Sequence, residues 1–150
     1  MKEFKIGQEV ISAFPGTGKS EYIRLGEGSG YMPQGFACDS DSSKFDKSEF
    51  PKNYIEHIKR RINDGYARIF ISSHKEVREA LVSNEIEFTL VYPEIGLKDE
   101  YLKRYKERGS PQSFIDLISE KWDSWINELS NQKGCKHKVL KSNEFLSNVC

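Results

Sequence analysis

The stretch EVISAFPGTGKS, residues 9–20, decides the architecture. Glu9 to Phe14, EVISAF, reads as one short buried strand, and Pro15 and Gly16 interrupt it at once. Gly16 and Gly18 then punctuate a turn in which positive φ carries no Cβ penalty, and a helix is expected to open at Lys19. A strand, a glycine turn and a helix in that order form a corner whose backbone N–H groups can face inward around an anion. The positive end of the helix would stand behind it.

Outward from this corner the pattern repeats. Gly26, Gly28 and Gly30 keep the first helix short and suggest a loop over residues 26–35. Gly35 to Cys38 reads as a second strand ending at the acidic DSDSS of Asp39 to Ser43. Tyr54, Ile55, Ile58 and Ile62 recur at helical spacing after Pro51, with Gly65 as the expected stop. Ala67 to Ser72 is a third strand, and Lys75 to Asn84 a helix with Val77, Ala80 and Leu81 inward. Glu87 to Tyr92 is a fourth strand, ended by Pro93. A charged helix over Leu97 to Arg108 comes next, then one capped by Ser110 with Pro111 at its first position and a stripe of Phe114, Ile118, Trp122, Trp125 and Leu129. Lys138 to Leu140 and a segment capped by Ser142 close the pattern. Strands alternating with helices predict an α/β chain of about five parallel strands covered on both faces, in one domain.

Composition narrows the function. The 150 residues carry 23 Lys+Arg and 23 Asp+Glu, so no basic excess marks the chain as a grip for long nucleic acid. Cys38, Cys135 and Cys150 are an odd set without a CxxC pair, which argues against a disulfide framework or a zinc site and suits a reducing cytoplasm. No stretch approaches the ~20 apolar residues of a membrane span.

Ala13 to Ser20 matches the P-loop pattern, with Ala13 in place of the usual first glycine. In that motif the backbone of Pro15, Gly16, Thr17 and Gly18 surrounds phosphate oxygens, Lys19 bridges the β- and γ-phosphates of ATP, and the Ser20 hydroxyl ligates magnesium. An acidic residue is also needed, to organise magnesium or take a proton. The third strand ends in Ser72-Ser73-His74 without a carboxylate, so the candidates are Asp39 and Asp41 after the second strand. The same residues would also suit an ordinary helix cap.

This arrangement resembles the small P-loop kinases of the nucleotide and polynucleotide kinase group, of the sort bacteriophages encode. The resemblance is specific over Ala13 to Ser20 and positional over most of the remaining chain. It implies a three-layer αβα P-loop NTPase fold and ATP with Mg2+. Asp39 or Asp41 would be the base for an acceptor hydroxyl, Asp39 also a candidate for the metal, and Ser72 or Ser73 a hydroxyl near the magnesium waters. It further implies a helical basic lid over about residues 94–110, with Arg104 and Arg108 on one face offsetting charge on the transferring phosphoryl group. The bland alternative for that segment is a solvated helix with a Glu100–Arg104 pair. The acceptor expected is a nucleoside, a nucleotide or a nucleotide within DNA, with Tyr31, Lys44, Phe45, Lys75 and Arg78 as candidate contacts. A P-loop ATP hydrolase, or a regulatory nucleotide binder without an acceptor, is the competing reading.

Overall fold

In a computed structural model of the chain, which describes residues 8–18, 37–40 and 45–146, five strands form one sheet. The strands are β1 (Glu9–Ala13), β2 (Ala37–Ser40), β3 (Arg68–Ile71), β4 (Thr89–Pro93) and β5 (Lys136–Leu140). Their spatial order is β2-β3-β1-β4-β5, and every pairing is parallel. The helices are α1 (Lys52–Asn63), α2 (Lys75–Ser83), α3 (Lys98–Glu107) and α4 (Gln112–Ser130), with a 3-10 turn at Ile95–Leu97 before α3. The helix expected from Lys19 and the loop over residues 26–35 lie outside the described residues.

The strand order dictates where the helices go. The connections β2→β3, β3→β4 and β4→β5 all step the same way across the sheet, and right-handed crossovers place their helices on one face. That face holds Val10, Phe14, Ile69, Ile71, Leu90 and Tyr92, in one cluster with Tyr54 and Ile58 of α1, Val77 and Leu81 of α2, Tyr101 and Tyr105 of α3 and Trp122 of α4. Strand alternation sends Ile11, Ala13, Phe70 and Val91 to the opposite face, where they are buried with Leu140 and Leu146. The connection β1→β2 steps the other way, so the topological switch falls at the carboxyl end of the central strand β1, the position where open parallel sheets take their ligands.

Several local readings are revised. The second strand runs on to Ser40, so Asp39 lies within it, in register with Phe70. Pro93 is the last residue of β4 and pairs with Leu140 of the edge strand β5. Pro111, not Ser110, occupies the cap of α4, and the Ser110 hydroxyl instead accepts from Arg108 Nε at 3.1 Å. The buried stripe of α4 is Ile115, Ile118, Trp122, Ile126 and Leu129, which leaves Trp125 half-buried. Arg78, rather than Ala80, joins Val77 and Leu81 on the buried side of α2. No helix among the described residues is long and apolar enough to cross a membrane.

The segment expected to be a lid is a fixed layer. Tyr101 and Tyr105 of α3 are 0% exposed, and Phe14 packs edge-on against both Tyr101 and Trp122. Burying a large apolar side chain is worth about 1.5–3 kcal/mol, so swinging α3 away would forfeit several kcal/mol.

Candidate functional site

The turn after β1 is built as its residues require. Gly16 has φ +86° and Gly18 φ +98°. A Cβ on Gly16 would lie 2.8 Å from Tyr105 Cε1, and one on Gly18 3.2 Å from Phe145 Cδ1, so each glycine is demanded by backbone conformation and by a close aromatic neighbour.

Four consecutive carbonyls of this turn are held by donors. The Thr17 hydroxyl donates to Phe14 O at 2.8 Å, and the Tyr105 hydroxyl to Pro15 O at 2.7 Å. Arg104 Nη1 donates to Gly16 O at 2.8 Å, and the Leu146 N–H to Thr17 O at 2.9 Å. Burial pushes the Tyr105 hydroxyl well above its ordinary pKa, so at neutral pH it remains a proton donor. In a trans, planar peptide the N–H points opposite to the C=O. Carbonyls drawn toward α3 and the residues after β5 therefore turn the N–H groups of Gly16, Thr17 and Gly18 away from that side, in the manner of an anion-binding nest.

Arg104 is the centre of this clamp. Its guanidinium lies between two rings, 4.2 Å from the Tyr101 centroid and 4.0 Å from that of Phe145. Its Nη2 pairs with Glu100 Oε2 at 3.0 Å. Glu100 in turn accepts from the Ser142 hydroxyl at 2.5 Å and the Asn143 N–H at 3.1 Å. The Ser142 hydrogen bond foremost, with those of Asn143 and Arg104, holds the Glu100 carboxyl below its usual range. Arg104 thus directs both terminal nitrogens to protein groups and acts as a strut behind the turn, not as a free lid arginine. Arg108 is exposed, 5.1 Å from the Tyr105 centroid, and touches none of the loop carbonyls described above.

The ends of β1, β2 and β3 are stapled together beside the turn. The Tyr54 hydroxyl, on the buried face of α1, donates to Ser40 O and accepts from the Ser72 N–H at 3.2 Å. The Ser12 hydroxyl donates to Ser72 O at 2.9 Å. Ser40 Oγ pairs with His57 Nε2 at 2.8 Å, and burial, then Arg61 and Arg60, lower the His57 pKa and keep the ring neutral. These contacts fix the backbone of β2 at Asp39 two strands from β1, about 10 Å away.

Of the residues singled out by sequence, Pro15, Gly16, Thr17 and Gly18 form the turn, and Asp39 sits on the edge strand β2, beyond β3. Lys19, Ser20, Asp41, Tyr31 and Lys44 lie outside the described residues. Phe45 packs at 5.0 Å on Tyr54 and 5.1 Å on His57, as part of the core of α1. Arg78 is 4% exposed, donating to Ser73 O at 2.9 Å, Gln132 Oε1 at 2.7 Å and Glu128 Oε1 at 3.0 Å. Ser73, His74 and Lys75 surround the start of α2, where Lys75 reaches Glu79 at 3.8 Å. Sequence reading gave Tyr54 only as a buried helix position and passed over Ser12, His57 and Phe145, and the further roles of these residues depend on distant partners. For Tyr101 and Tyr105 the only signal was a shared helix side with Arg104. Comparison with protein-family models, curated proteins and solved structures finds no match to this chain.

Proposed function

We propose that the chain is a P-loop phosphotransferase that uses ATP and magnesium and acts on a nucleoside, a nucleotide or a nucleotide within DNA. What carries this reading is the anchoring of the Pro15, Gly16 and Thr17 carbonyls by Tyr105, Arg104 and Leu146, which turns the N–H groups of Gly16, Thr17 and Gly18 away from those donors, as a phosphate-binding loop requires. The turn also leaves the carboxyl end of the central strand of a parallel sheet, at its topological switch. Both features agree with the three-layer P-loop fold expected from Ala13 to Ser20.

In this reading Lys19 bridges the β- and γ-phosphates. Magnesium in such sites keeps waters and phosphate oxygens as most of its ligands, so the protein need supply only Ser20 and a nearby carboxylate, Asp39. Asp39 or Asp41 accepts the proton of the acceptor hydroxyl as its oxygen bonds to the γ-phosphorus. The bond from that phosphorus to the β–γ bridging oxygen breaks, and ADP leaves. Arg104 contributes by holding the loop in its phosphate-binding shape, while exposed Arg108 remains the arginine able to approach the transferring group. Three cysteines without a CxxC pair, Cys38, Cys135 and Cys150, suit a reducing, cytoplasmic setting.

Lys19→Ala is expected to abolish tight binding of magnesium-ATP, measured by calorimetry; unchanged affinity would sink the nucleotide-binding reading. Radiolabelled γ-phosphate should move to an acceptor in a panel of nucleosides, nucleotides and DNA. Release of phosphate to water alone would instead identify a hydrolase.

A further inference from the structure

A cavity of about 290 Å³ opens beside the phosphate turn, on the helical side of the sheet. Among the described residues its walls are Ala13 to Pro15 at the end of β1, Ser72 to Lys75 with Arg78 at the start of α2, and Trp125, Glu128 and Leu129 of α4. It shares Ala13, Phe14 and Pro15 with the turn itself. Ligand sites in open parallel sheets occupy this end of the strands, and a cavity near the lower bound for small-molecule sites suits one ring system rather than a dinucleotide.

The chemistry of the walls selects the occupant. Arg78 is the only strongly buried charge there and is paired with Glu128 at 3.0 Å, while the other lining cation, exposed Lys75, reaches Glu79 at 3.8 Å, so both cations of the wall already have carboxylate partners. Ser72 Oγ is buried without a hydrogen-bond partner among the described residues. The half-buried indole of Trp125 and the apolar faces of Phe14, Pro15 and Leu129 complete a lining suited to a flat ring with polar edges.

We propose that this cavity binds the uncharged ring of the phosphate acceptor, a nucleobase or its nucleoside, beside the loop that holds ATP. The assignment rests on the phosphotransferase reading for its role, but not for its binding chemistry. It predicts that adenosine, guanosine, cytidine or thymidine binds the full chain. Inorganic phosphate should not bind at this site.

The two tryptophans make the test direct, because Trp122 is 0% exposed while Trp125 lines the cavity. Titrating the four nucleosides should quench the fluorescence of Trp125, and the quench should vanish in Trp125→Phe, which retains Trp122. Calorimetry should show affinity for the best nucleoside falling about tenfold or more in Trp125→Ala and in Ser73→Leu, which fills the cavity. Far-ultraviolet circular dichroism checks that each variant folds. Lys19→Ala should keep nucleoside binding while losing ATP, and Trp125→Ala should do the reverse. If the unmodified chain binds a nucleoside but no magnesium-ATP, this cavity stays assigned and only the ATP-binding reading of the turn falls. If no nucleoside binds, if binding ignores both cavity substitutions, or if a non-hydrolysable ATP analogue competes with the nucleoside, the proposal is overturned. The last outcome would give the cavity to the adenine of ATP.

Discussion

The corner after β1 and the corner after β3 occupy neighbouring positions at the carboxyl end of the sheet, yet they are finished in opposite ways. After β1, three carbonyls of the turn accept bonds from Tyr105, Arg104 and Leu146, all remote in sequence, and aromatic rings pack to within van der Waals contact of both glycines. After β3, Ser12 and Tyr54 hold Ser72 and the buried Arg78 holds Ser73 O, but no ring closes on the backbone and the wall opens into a cavity. The difference teaches that one corner is built to keep a single backbone shape, and the other to keep a space.

That contrast can be broken most severely at Gly16. Gly16→Ala sets a methyl group 2.8 Å from a buried tyrosine at φ +86°, and overpacking added to backbone strain should cost about 3 kcal/mol or more of stability in urea unfolding. Ser73→Ala, across the way, should cost well under about 1 kcal/mol. Similar losses at both sites would erase the distinction.

A smaller effect sharpens the role of Arg104. Arg104→Ala removes the donor to Gly16 O and the partner of Glu100, and hydrogen bonds of charged groups are worth about 1.5–3 kcal/mol each. It should lower magnesium-ATP affinity as well as stability, because the loop loses its strut. Arg104→Lys keeps the charge but cannot reach both acceptors with a planar fork, so it should restore only part of either quantity. Full rescue by lysine would mean that charge alone matters there.

The mildest test is acid. The folded Glu100 carboxyl is held below its ordinary pKa, so its contribution is complete above the unfolded value, near 4.5, and fades as pH falls through the lowered folded value. Glu100→Gln should therefore narrow the stability gap between pH 7 and acid. Parallel pH curves for the two proteins would show that the Ser142 and Asn143 contacts do not depend on charge.

Local periodicity was enough to find β1, α1, β3 and α2 to within a few residues, because burial on one face imposes periods that any chain segment displays by itself. It failed where a distant partner overrides composition. The polar DSDSS run argues for a loop, yet Asp39 and Ser40 pair with Phe70 and Ile71 because Tyr54 and His57 satisfy Ser40 from α1. Arg104 reads as a solvent-facing lid residue in isolation, and only the approach of Phe145 and Gly16 makes it a strut. Arg78 was legible as a charge near the third strand, but its burial depends on Glu128 and Gln132, some fifty residues on.

The bond from Leu146 to Thr17 also sets an order in time. During synthesis Thr17 leaves the ribosome roughly 130 residues ahead of Leu146, a lag of about 6–26 s at ordinary elongation rates. For about the first two-thirds of that interval the turn lacks Arg104 and Tyr105 too, and Phe145 arrives only with Leu146, so a nascent chain carries the glycine motif without the full means to hold its shape. Competence to bind then arrives late, when nearly all of the described chain has emerged.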